Sequence, residues 1–223
     1  MAVPYLSIVI PTLNEERNIG RLINGVNRII QKYTSEIIIV DGHSGDRTVE
    51  IARKHGAKVI YDDVGKGSAL IKGLKASRGS IIIAMDADLS HRPDELRLLI
   101  AGIESGYEIC MGSRFLTGGG SDDMPLLRVI GNKFFVVLVN MLYRSNYTDM
   151  CYGYRSFAKG VAARLGLKEK GFGIETEISI NAMKRHMRVL EVPSYEKGRF
   201  SGEGKLRSIA DGFAILRTIL NGL

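Results

Sequence analysis

The chain has 223 residues, 45% hydrophobic and 25% charged, the balance of a globular protein with room for one sizeable core. Its formal charge of +7 and pI near 9.4 favour anionic partners (nucleotides, phospholipids or nucleic acid) without choosing among them. Cys110 and Cys151 lie far apart and outside any metal-ligand spacing, which excludes a disulfide framework and predicts buried, reduced thiols.

Met1 to Tyr5 lacks the basic stretch and apolar core of a signal peptide. Strand and helix signals then alternate. Leu6 to Ile10 predicts a strand that stops at Pro11, with Asn14 or Thr12 placed to cap a helix carrying Ile19, Leu22, Ile23, Val26 and Ile30 on its inner face. Glu36 to Val40 predicts the second strand, Asp46 to His55 a helix, Lys58 to Tyr61 a third strand, and Gly67 to Ser77 a helix. The apolar run after Gly79 predicts a buried strand ending at Asp86, followed by a helix opened by Pro93-Asp94-Glu95 and a strand over Glu108 to Met111. This order argues for an α/β fold with a mostly parallel sheet and helices on both faces.

The second half is less regular. Helices are predicted over Pro125 to Tyr143 and Gly173 to His186, with a short strand over Arg188 to Val192. The chain closes in an amphipathic helix from Leu206 to Leu223, with Ile209, Phe213, Leu216 and Leu220 on one stripe. Gly118-Gly119-Gly120, followed by Ser121-Asp122-Asp123, is the one strongly flexible point, a mobile lid or a slack surface loop. The most apolar run, Phe134 to Tyr143, is too short to span a bilayer and carries Asn140, so no transmembrane segment is expected.

Ligands of open α/β sheets gather at the carboxyl ends of the strands. Asp86 and Asp88 are predicted at such an end, on one side of the chain with Ala87 opposite. Two carboxylates there can grip a hard divalent cation that also holds a diphosphate. Asp-x-Asp is equally a turn signal, and its place after an apolar strand is what favours the metal. Pro11-Thr12-Leu13-Asn14-Glu15 and Asp41-Gly42-His43-Ser44-Gly45-Asp46 follow the first two strands, and their amides and acids suit a ribose and base. Asn14 and Asp46 also suit helix capping, whereas Glu15 and Asp41 have no such simple alternative. Gly65-Lys66-Gly67 precedes a helix and favours an anion, although the spacing is not that of a Walker loop.

Ser7 to Glu16, Val40 to Thr48, Asp86 to His91 and Gly112-Ser113-Arg114 resemble the successive motifs of family 2 glycosyltransferases with the GT-A fold. Asp149 to Arg155, Glu175-Thr176-Glu177 and Glu191 to Leu206 are similar to dolichyl-phosphate mannose synthases and related polyprenyl-phosphate hexose synthases. The resemblance covers nearly the whole chain in the right order. It implies a Mg²⁺ or Mn²⁺ site at Asp86, Asp88 and Ser90, where related synthases often carry Gln at the last position. It implies nucleotide-sugar contacts at Pro11, Thr12, Asn14, Glu15, Asp41, Gly67 and Ala87 as well as the acidic pair. Arg114, Arg128, Arg199 and Lys205 match positions that bind donor and acceptor phosphates, with Arg114, Arg199 and Lys205 among the nucleotide-sugar contacts, Arg114, Arg128 and Arg199 toward the acceptor, and Asp88, Arg114 and Arg199 as the catalytic set. In the second loop Gly42 and His43 depart from the common Asp-Asp-Gly-Ser form.

The implied reaction is inverting transfer of a hexose from a nucleotide sugar, GDP-mannose foremost and UDP-glucose as the rival, to a dolichyl or other polyprenyl phosphate. The acceptor oxygen is already anionic at neutral pH, so no general base is assigned. Within a single GT-A domain, residues 1–115 would hold the nucleotide sugar and metal, residues 116–205 the acceptor, and residues 206–223 a membrane-surface helix. The chain resembles the short form of the family, peripheral at the cytoplasmic face of a membrane or tethered by a separate subunit, with no nucleic-acid partner. Two other classes are weighed. A sugar-nucleotide nucleotidyltransferase should carry a basic glycine-rich loop where Pro11 to Glu15 stands, and a non-catalytic carrier-binding subunit has no need of Asp86 and Asp88.

Overall fold

The computed structural model describes residues 3–122, 124–198, 200 and 208–222. Seven strands form one sheet in the order β3-β2-β1-β4-β7-β5-β8. They are β1 (Leu6–Thr12), β2 (Ser35–Asp41), β3 (Lys58–Tyr61), β4 (Ile81–Ala84), β5 (Ile109–Ser113), β7 (Arg155–Ala158) and β8 (Val189–Pro193). β1 to β4 pair in parallel, as do β5 and β8, while β7 runs antiparallel to both of its neighbours. The alternation of each strand divides the core. Ile8, Ile10, Ile37, Ile39, Ile81 and Ile83 face α1 (Ile19–Ile30), α2 (Thr48–Lys54) and α4 (Leu96–Glu104). Val9, Ile38, Val40, Ile82 and Ala84 face α3 (Lys66–Ala76), α6 (Val161–Leu165) and α7 (Ile174–Lys184). α3 lies so close that a Cβ on Gly73 would come 2.2 Å from Val9 Cγ1.

A third apolar cluster sits beside the sheet, where α5 (Leu126–Tyr143) and α8 (Ser208–Asn221) meet α7 through Val136, Val139, Ile180, Ile215 and Ile219. The core-facing side of α8 is thus Ile215 and Ile219. Phe213 and Leu220, placed on its apolar stripe from sequence, are exposed, and the Ile209 side chain lies outside the described residues.

Several boundaries differ from the sequence expectations for identifiable reasons. β1 runs through Pro11 to Thr12 because β4 pairs with it only as far as Val9, so the missing proline N–H breaks no bond on that side. β4 stops at Ala84, where the Met85 amide donates to Val9 O at 3.1 Å, so Asp86 and Asp88 lie in the loop beyond it and not on the strand. α1 begins at Ile19, five residues after Asn14: Asn14 is not its cap, and the turn opens with Asn18 and Ile19 amides donating to Glu15 O at 2.9 Å. β7 was absent from the sequence expectations. Its four residues include a charged Arg155 and a Ser, and only insertion between β4 and β5 makes them a strand. That insertion also means that residue 115 does not divide the sheet.

The triglycine is tied down. Gly120–Ser121 (β6) pairs with Tyr195–Glu196 (β9), Ser121 Oγ donates to Glu196, and Tyr195 Oη donates to Asp122 at 2.6 Å. By length and apolar composition, the 18-residue α5 is sufficient to cross a membrane, contrary to the expectation from the shorter run Phe134 to Tyr143. Both thiols are free, and burial pushes each up to about 12.

Candidate active site

One cleft of about 950 Å³ begins at the carboxyl ends of β1 and β4 and continues to α5 and α8. Pro11, Thr12 and Glu15 line one wall of it, and Asp86, Ala87, Asp88 and Ser90 line its floor. Leu127, Phe135 and Ile215 make its far end apolar. Three non-glycine residues in the strand-end loops hold positive φ: Asn14 at 57°, His43 at 61° and Leu89 at 67°. Such strain is tolerated where the surroundings over-determine a loop, which is common at ligand sites.

The acidic loop is held from several sides. Asp88 Oδ1 accepts both the Ser90 amide at 3.0 Å and the Ser90 hydroxyl at 2.6 Å. Ser90 Oγ is therefore turned toward Asp88 as a donor, and it lines the cleft beside that acid. The Asp86 amide donates to His91 Nδ1 at 3.0 Å, and the His91 ring stacks on Tyr154 at 4.7 Å. Burial pushes the His91 pKa down despite the pull of Asp86 and Asp88, so the ring is neutral and its Nδ1 can accept.

Lys66 Nζ bridges Asp86 at 2.9 Å and Glu175 at 3.0 Å. Burial disfavours the ammonium, yet the two carboxylates outweigh it and raise its pKa. Gly153 keeps the space beside this triad open: a Cβ there would sit 3.3 Å from Asp86 Oδ2 and 3.4 Å from Glu175 Oε1. The sequence marked Lys66 only as part of an anion-favouring turn and Glu175 only as part of a motif.

Three nucleotide-side predictions fall off the cleft wall. Asp41 is fully buried and accepts from Ser44 and the Thr12 hydroxyl. Asn14 is exposed and binds Gly45 and Ser44. Gly67 donates its amide to Lys170 O at 2.9 Å, and a Cβ on it would approach Glu169 O to 2.5 Å, so the start of α3 packs tightly against the 169–171 loop there. Asp46, whose other expected role was capping, accepts the Thr48 amide at the start of α2.

Arg114 lines the cleft but is already matched. Its Nε and Nη2 fork onto Asp149 at 2.7 and 3.0 Å, Nη1 donates to Glu196 at 3.0 Å, and the guanidinium lies over the Tyr152 ring. Burial opposes its charge and the two carboxylates more than restore it. Arg128 lines the cleft with no carboxylate partner among the described residues. Arg199 and Lys205 lie outside the described residues. Their neighbours are anchored: Lys197 donates its amide to Ser90 O, and Phe200 packs under Arg21 at 4.3 Å.

No group of three His, Cys, Asp or Glu converges on a cation position among the described residues. The donor set is instead two carboxylates in a cleft with room for a ligand. That suits Mg²⁺ or Mn²⁺, which keep several positions for phosphate oxygens and water.

Strand-end loops of a mostly parallel sheet, a paired-acid floor and a cleft shared with a helical flank define an α/β protein of the GT-A type. Residues 7–166 match the family described as Glycosyl transferase family 2. The chain is 33% identical over 210 residues to the dolichol-phosphate mannosyltransferase of Pyrococcus furiosus, covering 91% of this chain and 59% of that protein. It is 32% identical over 216 residues to the dolichyl-phosphate hexose transferase of Haloferax volcanii, covering 96% of this chain and 92% of that protein. Among solved structures, glucosyl-3-phosphoglycerate synthase from Mycobacterium tuberculosis with Mn²⁺, UDP and glucosyl-3-phosphoglycerate shares the fold, with a TM-score of 0.78 at 20% identity, covering 98% of this chain and 80% of that one. The protein belongs to glycosyl transferase family 2.

Proposed function

We propose that this protein transfers a hexose, with inversion, from a nucleoside diphosphate sugar to a polyprenyl phosphate, GDP-mannose and dolichyl phosphate being the leading pair and dolichyl β-D-mannosyl phosphate the product. The observation that carries this reading is the continuity of one cleft from a paired-acid floor to an apolar end. A nucleotide needs the first and an isoprenoid the second. The names of the Pyrococcus and Haloferax relatives support the same substrate class. UDP-glucose is the alternative donor. Family membership argues against a nucleotidyltransferase.

Asp86 and Asp88 would hold Mg²⁺ or Mn²⁺, which supplies charge neutralisation for the departing diphosphate. A non-bridging oxygen of the acceptor phosphate forms the new bond to the anomeric carbon. The bond from that carbon to the diphosphate oxygen breaks, and its electron pair leaves with the nucleoside diphosphate. Arg128 supplies positive charge to the acceptor side, and Arg114 orders the wall through Asp149 and Glu196. Ser90 and His91 keep the acidic loop in register.

The membrane is reached through α5. Leu126, Leu127, Ile130, Phe134, Val137 and Met141 are exposed along it, with Arg128 and Lys133 its only charged residues. An apolar face flanked only by cations suits an anionic bilayer surface, to which Phe213 and Leu220 of α8 would add. Peripheral association with a membrane surface follows from that reading, and we place it at the cytoplasmic face.

The test is transfer of radiolabelled sugars from GDP-mannose and UDP-glucose to short polyprenyl phosphates, with and without chelator. Transfer should stop with chelator, and Asp88→Ala should lower the rate by about 10³-fold while circular dichroism stays native. Absence of transfer from every common nucleotide sugar would sink the reading.

A further inference from the structure

Lys66 sits on an acid that a divalent cation would need. Its Nζ lies 2.9 Å from Asp86 Oδ1 and 3.2 Å from Asp86 Oδ2, so it engages both oxygens of that carboxylate, and it reaches Glu175 Oε1 at 3.0 Å. The placement is built from three elements. Lys66 opens α3, whose Gly67 and Ser68 amides donate to Lys170 O at 2.9 and 3.2 Å. Glu175 is buried in the first turn of α7, and the Asp86 amide on His91 Nδ1 fixes that residue's main chain beside the lysine. A long side chain gives up rotamer freedom to be held this way, which solvation alone would not ask of it.

A hard divalent cation seeks the same two oxygens. Two positive centres drawn to one carboxylate repel each other, and in a partly open cleft that repulsion is screened but far from lost. Asp86 therefore offers an arriving cation only part of its charge, while Asp88 Oδ1 already accepts the Ser90 amide and hydroxyl. A nucleoside diphosphate tips the balance, because its oxygens add anionic ligands that the two aspartates do not supply. Glu175 then keeps the ammonium paired when Asp86 is taken. Gly153 leaves the space beside both carboxylates clear of a side chain for that shift, a Cβ there lying 3.3 Å from Asp86 Oδ2 and 3.4 Å from Glu175 Oε1.

We propose that Lys66 is a positioning residue that competes with the divalent cation for Asp86 and so makes cation binding conditional on the nucleoside diphosphate. This rests on the nucleotide-and-cation part of the transfer reading above and adds to it an order of assembly: cation and diphosphate bind together, each weakly without the other. Linkage makes the effect reciprocal, so the cation must raise nucleotide affinity by the same factor.

Mn²⁺ binding to the whole protein, followed by the electron paramagnetic resonance signal of free Mn²⁺, tests this without turnover. With no nucleotide present, Lys66→Met should bind Mn²⁺ at least about tenfold more tightly than the native protein. With GDP added, and UDP in a parallel series, the two proteins should agree within about threefold. Lys66→Arg keeps the charge and should follow the native protein in both conditions. Damage to the site would weaken Mn²⁺ binding, whereas removal of a competitor strengthens it, so a purely structural role for Lys66 predicts the opposite sign. Should Lys66→Met fail to melt cooperatively, Lys66→Gln serves with the same expectation. Mn²⁺ affinity that is unchanged or lower in the folded variant, or native affinity that is the same with and without nucleotide, overturns the proposal. If the variant gains Mn²⁺ affinity as expected but the native protein transfers no sugar, the transfer reading fails and this one stands. If the native protein transfers sugar and the variant shows no gain, the reverse holds.

Discussion

The two walls of the cleft are built on opposite principles. On the β1–β4 side, parallel strands end together, and the loops take their positions from a backbone ladder whose side chains are mostly Ile and Val. On the side after β5, position comes from buried charge. Asp149 is fully buried and grips Arg114, Glu191 accepts the Thr148 and Asp149 amides, and fully buried Arg155 fans out to Tyr152 O, Ser179 Oγ and Met150 O. Burial raises the Glu191 pKa and lowers that of Arg155, the direction expected of charges bound chiefly to neutral groups. A wall ordered by a ladder tolerates loss of one side chain. A wall ordered by buried ions does not, because each deletion strands a partner.

The largest test of that contrast is Asp149→Asn. It removes half of a buried ion pair and leaves the Arg114 guanidinium with Glu196 alone, so unfolding free energy should fall by about 3–5 kcal/mol in urea titrations. A loss below about 1 kcal/mol would mean that Asp149 does not carry the wall.

Lys66 joins the two walls, with Asp86 on one and Glu175 on the other. Lys66→Met leaves the nearly buried Glu175 beside Asp86 without a cation, and the side chains are partly open to solvent, Lys66 by 26%. The expected cost is therefore smaller, about 1–3 kcal/mol by the same measurement. An equal loss in Lys66→Arg and Lys66→Met would show that charge is not what matters there.

On the ladder side the matching experiment is Glu36→Gln. Burial opposes ionisation of Glu36, but the Ser7 hydroxyl and the Arg78 amide and guanidinium bring its pKa below the ordinary 4.5. A carboxyl depressed by folding adds stability above its unfolded value and loses it as pH falls through the folded one. The substitution should cost about 1 kcal/mol at pH 7 and nothing at pH values below the folded one, followed as melting temperature against pH. A gap that persists unchanged in acid would locate the effect in packing.

Much of the ladder side was legible from the chain alone. Ile8, Val9 and Ile10 announce a strand buried on both faces, and the helix after it shows its stripe from Ile19 to Ile30. The motif acids Glu15, Asp86 and Asp88 arrive on the cleft as expected, since a parallel sheet leaves their loops nowhere else to go. Asp41 and Asn14 share those loops and turn inward or outward by local hydrogen bonding, which no spacing encodes.

What the amino-acid order determined by itself was periodicity: which segments bury a face, where they stop, and that acidic loops follow apolar strands. What only the tertiary structure decided was pairing at a distance. Ser90 serves Asp88, Lys66 spans Asp86 and Glu175, and Arg155 becomes a strand residue. The reason is physical: hydrophobic burial is read one residue at a time, whereas a hydrogen bond or ion pair is a relation between two, and its partner is known only once the chain has closed on itself.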